Sequence, residues 1–463
     1  MELDPLLISR IQFAFVVSFH IIFPAFTIGL ASFIAVLEGL WFKTGNPVYL
    51  RLSKMWIKVF AVSFGMGVVS GIVMSFQFGT NWSELSYASA NFLGPILSYE
   101  VVTAFFLEAT FLGVLLFGRS KVPQGMHLFA AIMVAVGTFI SSFWILSANS
   151  WMQTPAGIEL INGRVEVVSW LEAIFNPSFP YRFAHMVLAA FLTTGFFVIA
   201  VSAWYLLINK SREYAKIMFS MTLWLVVVMA PLQVLVGDMH GLDTLEHQPV
   251  KVAAMEGNWE TSTRVPLLLF AIPDQAAESN RFEVGIPGLA SFILKHDLDG
   301  EVPGLKDWAP EDRPHVATVF WSFRVMVGIG MLMVLVAGLS LVLRWRGTLF
   351  ENRAFLRLCT FMMPLPFIAV LAGWITTEMG RQPWVLYGLM RTEDAITPSL
   401  TGGVALTSLI VFIVVYAIIF VAGGYYISRI LVGGPEKEDT PLDELPEHRR
   451  RPSRPMSAAD SPL

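Results

Sequence analysis

Within or at the edges of strongly apolar stretches, this chain carries a few ionisable residues: His20, Glu100, Glu108, His185, Asp238, Arg324 and Glu378. A charged group costs about 2.5–3.5 kcal/mol to insert into a bilayer, so such residues face a protein interior and mark function. Imidazole, thioether and carboxylate are the donors on offer, with Met326 two residues after Arg324. The single cysteine, Cys359, excludes a disulfide framework, a thiolate zinc site and a cysteine-ligated iron–sulfur cluster. A His/Met pair suits a six-coordinate electron-transfer haem, and an arginine such as Arg324 suits a propionate. Blander roles stay open at this point. Met326 is one of 21 methionines, and methionine is a common core filler. A lone His20 or His185 also serves as an interhelical hydrogen-bond partner. Glu38 and His127, near the ends of spans, are placed to snorkel.

The elements that must position these groups are membrane helices. Of 463 residues, 55% are apolar and 14% charged, with a mean hydropathy of +0.63. Soluble domains carry about 45–50% apolar and about 25% charged residues. That excludes disorder, a collagen-like repeat and an ordinary soluble enzyme. A net charge of −4 argues against a nucleic-acid partner. Apolar runs of about 20 residues occur at 11–37, 56–77, 96–117, 127–148, 185–208, 219–238, 319–343, 358–377 and 403–428. The first run opens MELDP and is too long for a cleavable signal. No internal repeat stands out. The fold class expected is all-α, a polytopic membrane protein with nine transmembrane helices.

Lys and Arg set the direction. Segments after the odd-numbered spans hold roughly 19 of them and the opposite short segments 5, as the positive-inside rule requires for an outer N-terminus and a cytoplasmic C-terminus. Four regions follow: helices one to six over 1–238, an outer loop over 239–318, helices seven to nine over 319–432, and a disordered cytoplasmic tail over 433–463. With that orientation His20, Glu100, His185, Arg324, Met326 and Glu378 all fall in the outer half of the bilayer. Glu108 lies eight residues deeper than Glu100, roughly 12 Å along a helix and near the same face.

The chain resembles subunit I of the cytochrome bd-type quinol oxidases from about residue 5 to residue 430. The matching stretches are SRIQFAFVVSFH (9–20), FQFGTNW (76–82), YEVVTAFFLEATF (99–111), ILSANSWMQTP (145–155), KVAAMEGNWET (251–261), IPDQ (272–275), FRVMVG (323–328) and GWITTEMGRQPW (373–384). The resemblance implies that His185 and Met326 ligate a low-spin haem b. It implies that His20 and Glu378 each ligate one of two high-spin haems, a haem b and either haem d or a further haem b. Trp374 would stand between haems, and Arg324 and Arg381 would be propionate or charge-compensating partners. Lys251 and Glu256 would bind quinol, in what looks like the short-loop, cyanide-insensitive-like branch. Asp238 would support the quinol site or cap its helix.

The activity implied is quinol oxidation at the outer face with reduction of oxygen to water. Protons would be drawn from the cytoplasm through Glu108 and Glu100, building a proton-motive force without a pump. The implied partners are subunit II, a small single-span subunit, quinol, oxygen and membrane lipid, in the bacterial inner membrane. A secondary transporter or channel, using Glu100, Glu108 and Arg324 for an ion or substrate, is the competing class. A dihaem cytochrome b without oxygen chemistry is disfavoured, since paired histidines on facing helices are absent.

Overall fold

Polar caps and prolines start the long helices. The Asp4 carboxylate accepts from the Leu6 N–H at 2.9 Å with Pro5 in the first turn, and Asn46 does the same for Val48 at 3.0 Å ahead of Pro47. Both satisfy donors that a helix N-terminus leaves orphaned. Between the two helices Gly45 sits at φ 65°, the left-handed conformation that ends the first. A computed structural model describes residues 3–435. Of the tail expected to be disordered over 433–463, residues 436–463 lie outside the described residues, and Gly433 is the last residue of a helix.

In order, the helices are α1 (Pro5–Thr44), α2 (Pro47–Thr80), α3 (Ser83–Ala88), α4 (Ala90–Glu100), α5 (Phe106–Phe117), α6 (Gln124–Gln153), α7 (Trp170–Ile174), α8 (Phe179–Leu207), α9 (Arg212–His247) and α10 (Pro249–Glu256). They continue as α11 (Leu289–Lys295), α12 (Val316–Trp345), α13 (Arg353–Phe361), α14 (Leu365–Met379) and α15 (Gly402–Gly433). Among the described residues nine helical stretches are long and apolar enough to cross a membrane, the number expected. The core between α1, α2, α8, α9 and α13 is built on Leu30, Leu37, Trp56, Phe60, Phe196 and Phe219, all fully buried. At Gly29, α1 and α8 touch so closely that a Cβ would lie 2.5 Å from Thr194 Oγ1, the small-residue contact typical of membrane helices.

Several boundaries differ from the sequence reading. Helix α9 runs to His247, past the expected loop start at 239. The apolar run ends near 238, but no proline occurs between 239 and 248 and the helix simply turns polar. Asp238 therefore sits mid-helix and exposed, neither capping it nor buried in a site. The 239–318 segment is ordered: it holds the end of α9, α10, α11 and an antiparallel hairpin of β3 (Leu267–Asp274) with β4 (Ser279–Ile286). Two smaller hairpins, β1 (Ile158–Ile161) with β2 (Arg164–Val167) and β5 (Trp384–Leu386) with β6 (Met390–Arg391), also decorate the helical fold. The eighth span breaks between α13 and α14 around Pro364 and Pro366, which cannot donate to a helix ladder.

Glu38 and His127 do not snorkel. Both are 1% exposed and joined, with Arg119 and Ser53, in an ion-paired cluster binding α1, α2 and α6.

Candidate functional site

The candidate residues fall in five places. The first is at His20 on α1. Ser70 Oγ lies 2.9 Å from His20 Nδ1, and the same hydroxyl donates to the Met66 and Gly67 carbonyls at 3.0 Å each. With its proton committed there, the serine accepts from Nδ1–H, and Nε2 is left with its lone pair. That is the tautomer a metal ligand needs. Gly71, next to Ser70 on α2, leaves room for the ring: a Cβ there would come 3.0 Å from Cε1.

The second group is His185 on α8 and Met326 on α12, each facing a glycine of a different neighbouring helix. A Cβ on Gly237 would approach His185 Cε1 to 3.3 Å, and one on Gly373 would approach Met326 Sδ to 2.8 Å. His185 Nδ1 is buried without a hydrogen-bond partner among the described residues. His240 of α9 packs edge-on against the same ring, centroids 5.5 Å apart.

The third cluster surrounds Glu378, at the end of α14. Its Oε1 accepts from Asn149 Nδ2 at 2.9 Å and Gln153 Nε2 at 3.2 Å, and Oε2 pairs with Arg381. Arg381 is 5% exposed, yet its Nε and Nη1 have no acceptor among the described residues. A buried guanidinium with two such donors can pair with a further acidic group. Burial lowers the Arg381 pKa and Glu378 opposes that. Trp374, one turn before Glu378, is half-buried.

The fourth is built on α10, a helix inside the segment expected as an outer loop. Lys251 and Glu256 are 2% and 5% exposed. Five residues apart on one helix, they point about 140° away from each other and find different partners. Lys251 Nζ donates to Gln153 Oε1 at 2.7 Å and to Gln248 Oε1, with Gly380 clearing its stem. Gln153 thus bonds both Lys251 and Glu378. Burial, reinforced by the Arg182 charge, holds Lys251 well below the usual lysine range. Glu256 turns to α12 and pairs with Arg324 at 3.0 Å. Arg324 also donates to the Leu268 and Met255 carbonyls and stacks on Phe320. All three guanidinium nitrogens are engaged. The sequence assigned Arg324 to a propionate or a compensating role; the charge it compensates is that of Glu256.

Glu100 and Glu108 sit on either side of a π-helical turn, Val101–Phe105, closed by the Phe106 N–H to the Val101 carbonyl. In an unbroken α-helix eight residues would leave the two carboxylates about 80° apart. Five residues at about 82° each bring them within about 10°. Both then meet one stripe of α6. Ser141 donates to Glu100 Oε1 at 2.7 Å, and Gly137, one turn away, faces Glu108 Cγ.

The sequence reading passed over Asn149, Gln153, Arg182, His240, Asp243 and Gln248. Amides carry no insertion signal of their own, and the α9 residues were assigned to a loop. Only ILSANSWMQTP marked the first two.

Among the described residues, a fold of nine candidate spans with imidazole, thioether and carboxylate–guanidinium groups packed between its helices defines a polytopic membrane protein. Residues 8–435 match the family model for cytochrome bd terminal oxidase subunit I, and the chain belongs to that family. It is 37% identical to cytochrome bd ubiquinol oxidase subunit 1 of Bacillus subtilis (strain 168), over 96% of this chain and 98% of that one. It is 34% identical to cytochrome bd-II ubiquinol oxidase subunit 1 of Escherichia coli (strain K12), covering 93% and 97%. The bd oxidase structure from Geobacillus thermodenitrificans superimposes with a TM-score of 0.86 at 30% identity, covering 94% of this chain and 100% of that one. These matches decide for the oxidase over the transporter. The chain is a subunit of a quinol oxidase, a multi-pass protein of the bacterial inner membrane, whose family carries haem and pairs with a subunit II. The residues fit haem: His20 presents a bare Nε2, and Arg381 presents idle donors to an acidic substituent.

Proposed function

We propose that this chain oxidises quinol at the α9–α10–α12 end and supports reduction of oxygen to water inside the bundle. The observation that carries the reading is Gln153, hydrogen-bonded to Lys251 at 2.7 Å and Glu378 at 3.2 Å. One amide thereby couples the residue assigned to quinol with the residue assigned to a haem.

In this reading the N-terminus faces outward and the C-terminus the cytoplasm, with 239–318 outside, on the strength of the Lys and Arg distribution. His185 and Met326 would hold a low-spin haem b. His20 and Glu378 would hold two high-spin haems, one b and the other d or b. When bound, these groups supply electron transfer and the iron at which oxygen is reduced. The chain does the rest. Lys251 orients one quinol oxygen, and Glu256, balanced by Arg324, lies at the other end of α10 to receive a proton. Arg381 neutralises acidic groups in a site of low dielectric, where an uncompensated charge is costly. Trp374, one turn before Glu378, would stand between haems. Glu108 and Glu100, aligned by the π turn, conduct protons inward from the cytoplasmic half. Protons leave quinol outside and are consumed from inside, so a proton-motive force builds without pumping. Subunit II, a small single-span subunit and lipid would complete the assembly. Redox difference spectra with haem extraction on the purified oxidase test the assignment. Three haems with one low-spin b are expected; fewer than three would overturn it.

A further inference from the structure

The last turns of α9 carry a polar stripe that the quinol site as described does not use. Asp243 and His247 lie on one face, four residues and about 6 Å apart. Asp243 is 7% exposed, and its Oδ2 has no hydrogen-bond partner among the described residues. Its Oδ1 lies 3.3 Å from His247 Nδ1, whose N–H donates to the Asp243 backbone carbonyl at 3.0 Å, which leaves Nε2 with its lone pair; the His247 side chain is 30% exposed. The charged groups facing Asp243 are His247 and Glu246 on its own helix, Arg182 from α8 and Lys251 from α10. A buried carboxylate with one idle oxygen, beside the lysine of the quinol site and touching a half-exposed imidazole, links the interior to water.

Glu256 is poorly suited to carry both quinol protons. Protonating it would strip Arg324, 11% exposed, of its counter-charge, and an uncompensated buried charge is strongly unfavourable. Asp243 has no comparable single partner on Oδ2.

We propose that Asp243 and His247 form the exit relay for a proton released by quinol. Oxidation of one quinol gives up two electrons, taken by the redox centres of the oxidase, and two hydroxyl protons. As one quinol O–H bond breaks, its proton forms an O–H bond on Asp243. That proton leaves Asp243 through water to the free Nε2 of His247 and from there to the outer solvent, restoring the carboxylate and the neutral ring. Asp243 and His247 are relay residues, and the proposal rests on the reading of Lys251 and Glu256 as the quinol site.

The test uses the assembled oxidase in membranes. Asp243→Asn should slow quinol-driven oxygen consumption at least about tenfold, in the range expected for a lost proton-transfer group, with KM for quinol and haem content unchanged. Oxygen consumption from tetramethyl-p-phenylenediamine, which delivers electrons without protons, should stay at the wild-type rate. His247→Ala should slow quinol turnover and regain it when imidazole is added to the medium, a recovery that a structural role would not produce. Wild-type quinol turnover in both variants overturns the relay. Loss of haem in Asp243→Asn, together with no imidazole recovery in His247→Ala, overturns it as well. Lys251→Ala separates the two readings: an unchanged KM there means that the quinol site itself is misplaced, whereas a raised KM with unaffected Asp243 and His247 variants removes only the relay.

Discussion

Glu108 lies across the helix interface from Gly137, and a Cβ at that glycine would occupy the space of the Glu108 Cγ. Glu108 is 6% exposed with Oε1 unpartnered among the described residues, so nothing but packing holds its carboxyl in place. Gly137 is therefore a positioning residue.

Gly137→Ala should push the Glu108 carboxyl off the α6 stripe and slow oxygen reduction about tenfold, or about 1.4 kcal/mol in barrier. Haem content and haem reduction by quinol should stay normal. Glu108→Gln, which keeps the shape and removes the acid, should slow oxygen reduction to a similar degree. Stopped-flow reoxidation and proton uptake in oriented vesicles check both. Undiminished uptake in Glu108→Gln would remove it from the path.

The π turn yields a second expectation. Inserting one alanine after Val102 should add about 80–100° of rotation and turn Glu108 away from Ser141 and Gly137. Proton uptake should fall while the His185/Met326 signal persists. An unchanged rate would mean that the alignment has no role.

Haem ligation can be read one residue at a time. His185→Ala and Met326→Leu should abolish the low-spin signal and quinol oxidation, and Gly373→Ala should perturb that signal by crowding Met326 Sδ. His20→Ala should lose a high-spin haem while low-spin haem stays reducible. Ser70→Ala, which removes the group orienting His20 Nδ1, should weaken retention of that haem roughly 10–100-fold. A normal high-spin band in His20→Ala would reject the ligand.

Glu378 and Arg381 stand or fall together. Arg381→Leu leaves the Glu378 charge uncompensated and should destabilise the folded subunit by about 3–5 kcal/mol. Glu378→Gln, neutral and isosteric, should be milder on stability yet still disturb a high-spin haem. Thermal unfolding in detergent with parallel haem spectra separates the two effects.

Lys251 should impose a pH dependence on quinol binding. Burial and the Arg182 charge hold its pKa below the usual lysine range, so its ammonium loses its proton at a lower pH than an exposed lysine would. KM for quinol should rise as pH climbs through that lowered value. In Lys251→Met, KM should be raised about tenfold at all pH values, about 1.4 kcal/mol of binding, with the rise on the alkaline side gone. Steady-state KM from neutral to alkaline pH decides.

Much of the site was legible early because its signals are local. His20, Glu100, Glu108, His185 and Glu378 stood out since each is an expensive group in an apolar run, and GWITTEMGRQPW and FQFGTNW carry their pattern in consecutive residues. Gln153 and Asn149 were passed over although they bind Glu378, because an amide on a membrane helix resembles any other polar spot until its partner is known. The α9 stripe of His240, Asp243 and His247 was hidden for another reason: the apolar run ends near 238, and hydropathy cannot tell a helix turning polar from a loop.

By itself the sequence determined the nine spans, the list of ligand-type residues and the family, because insertion energy sums residue by residue along the chain. Tertiary structure alone decided who faces whom. It gave Arg324 to Glu256, buried Lys251 against Gln153, and set Gly71, Gly137, Gly237 and Gly373 opposite His20, Glu108, His185 and Met326. Those pairings depend on how each helix is rotated and how closely it packs, quantities summed over many small contacts between residues far apart in the chain.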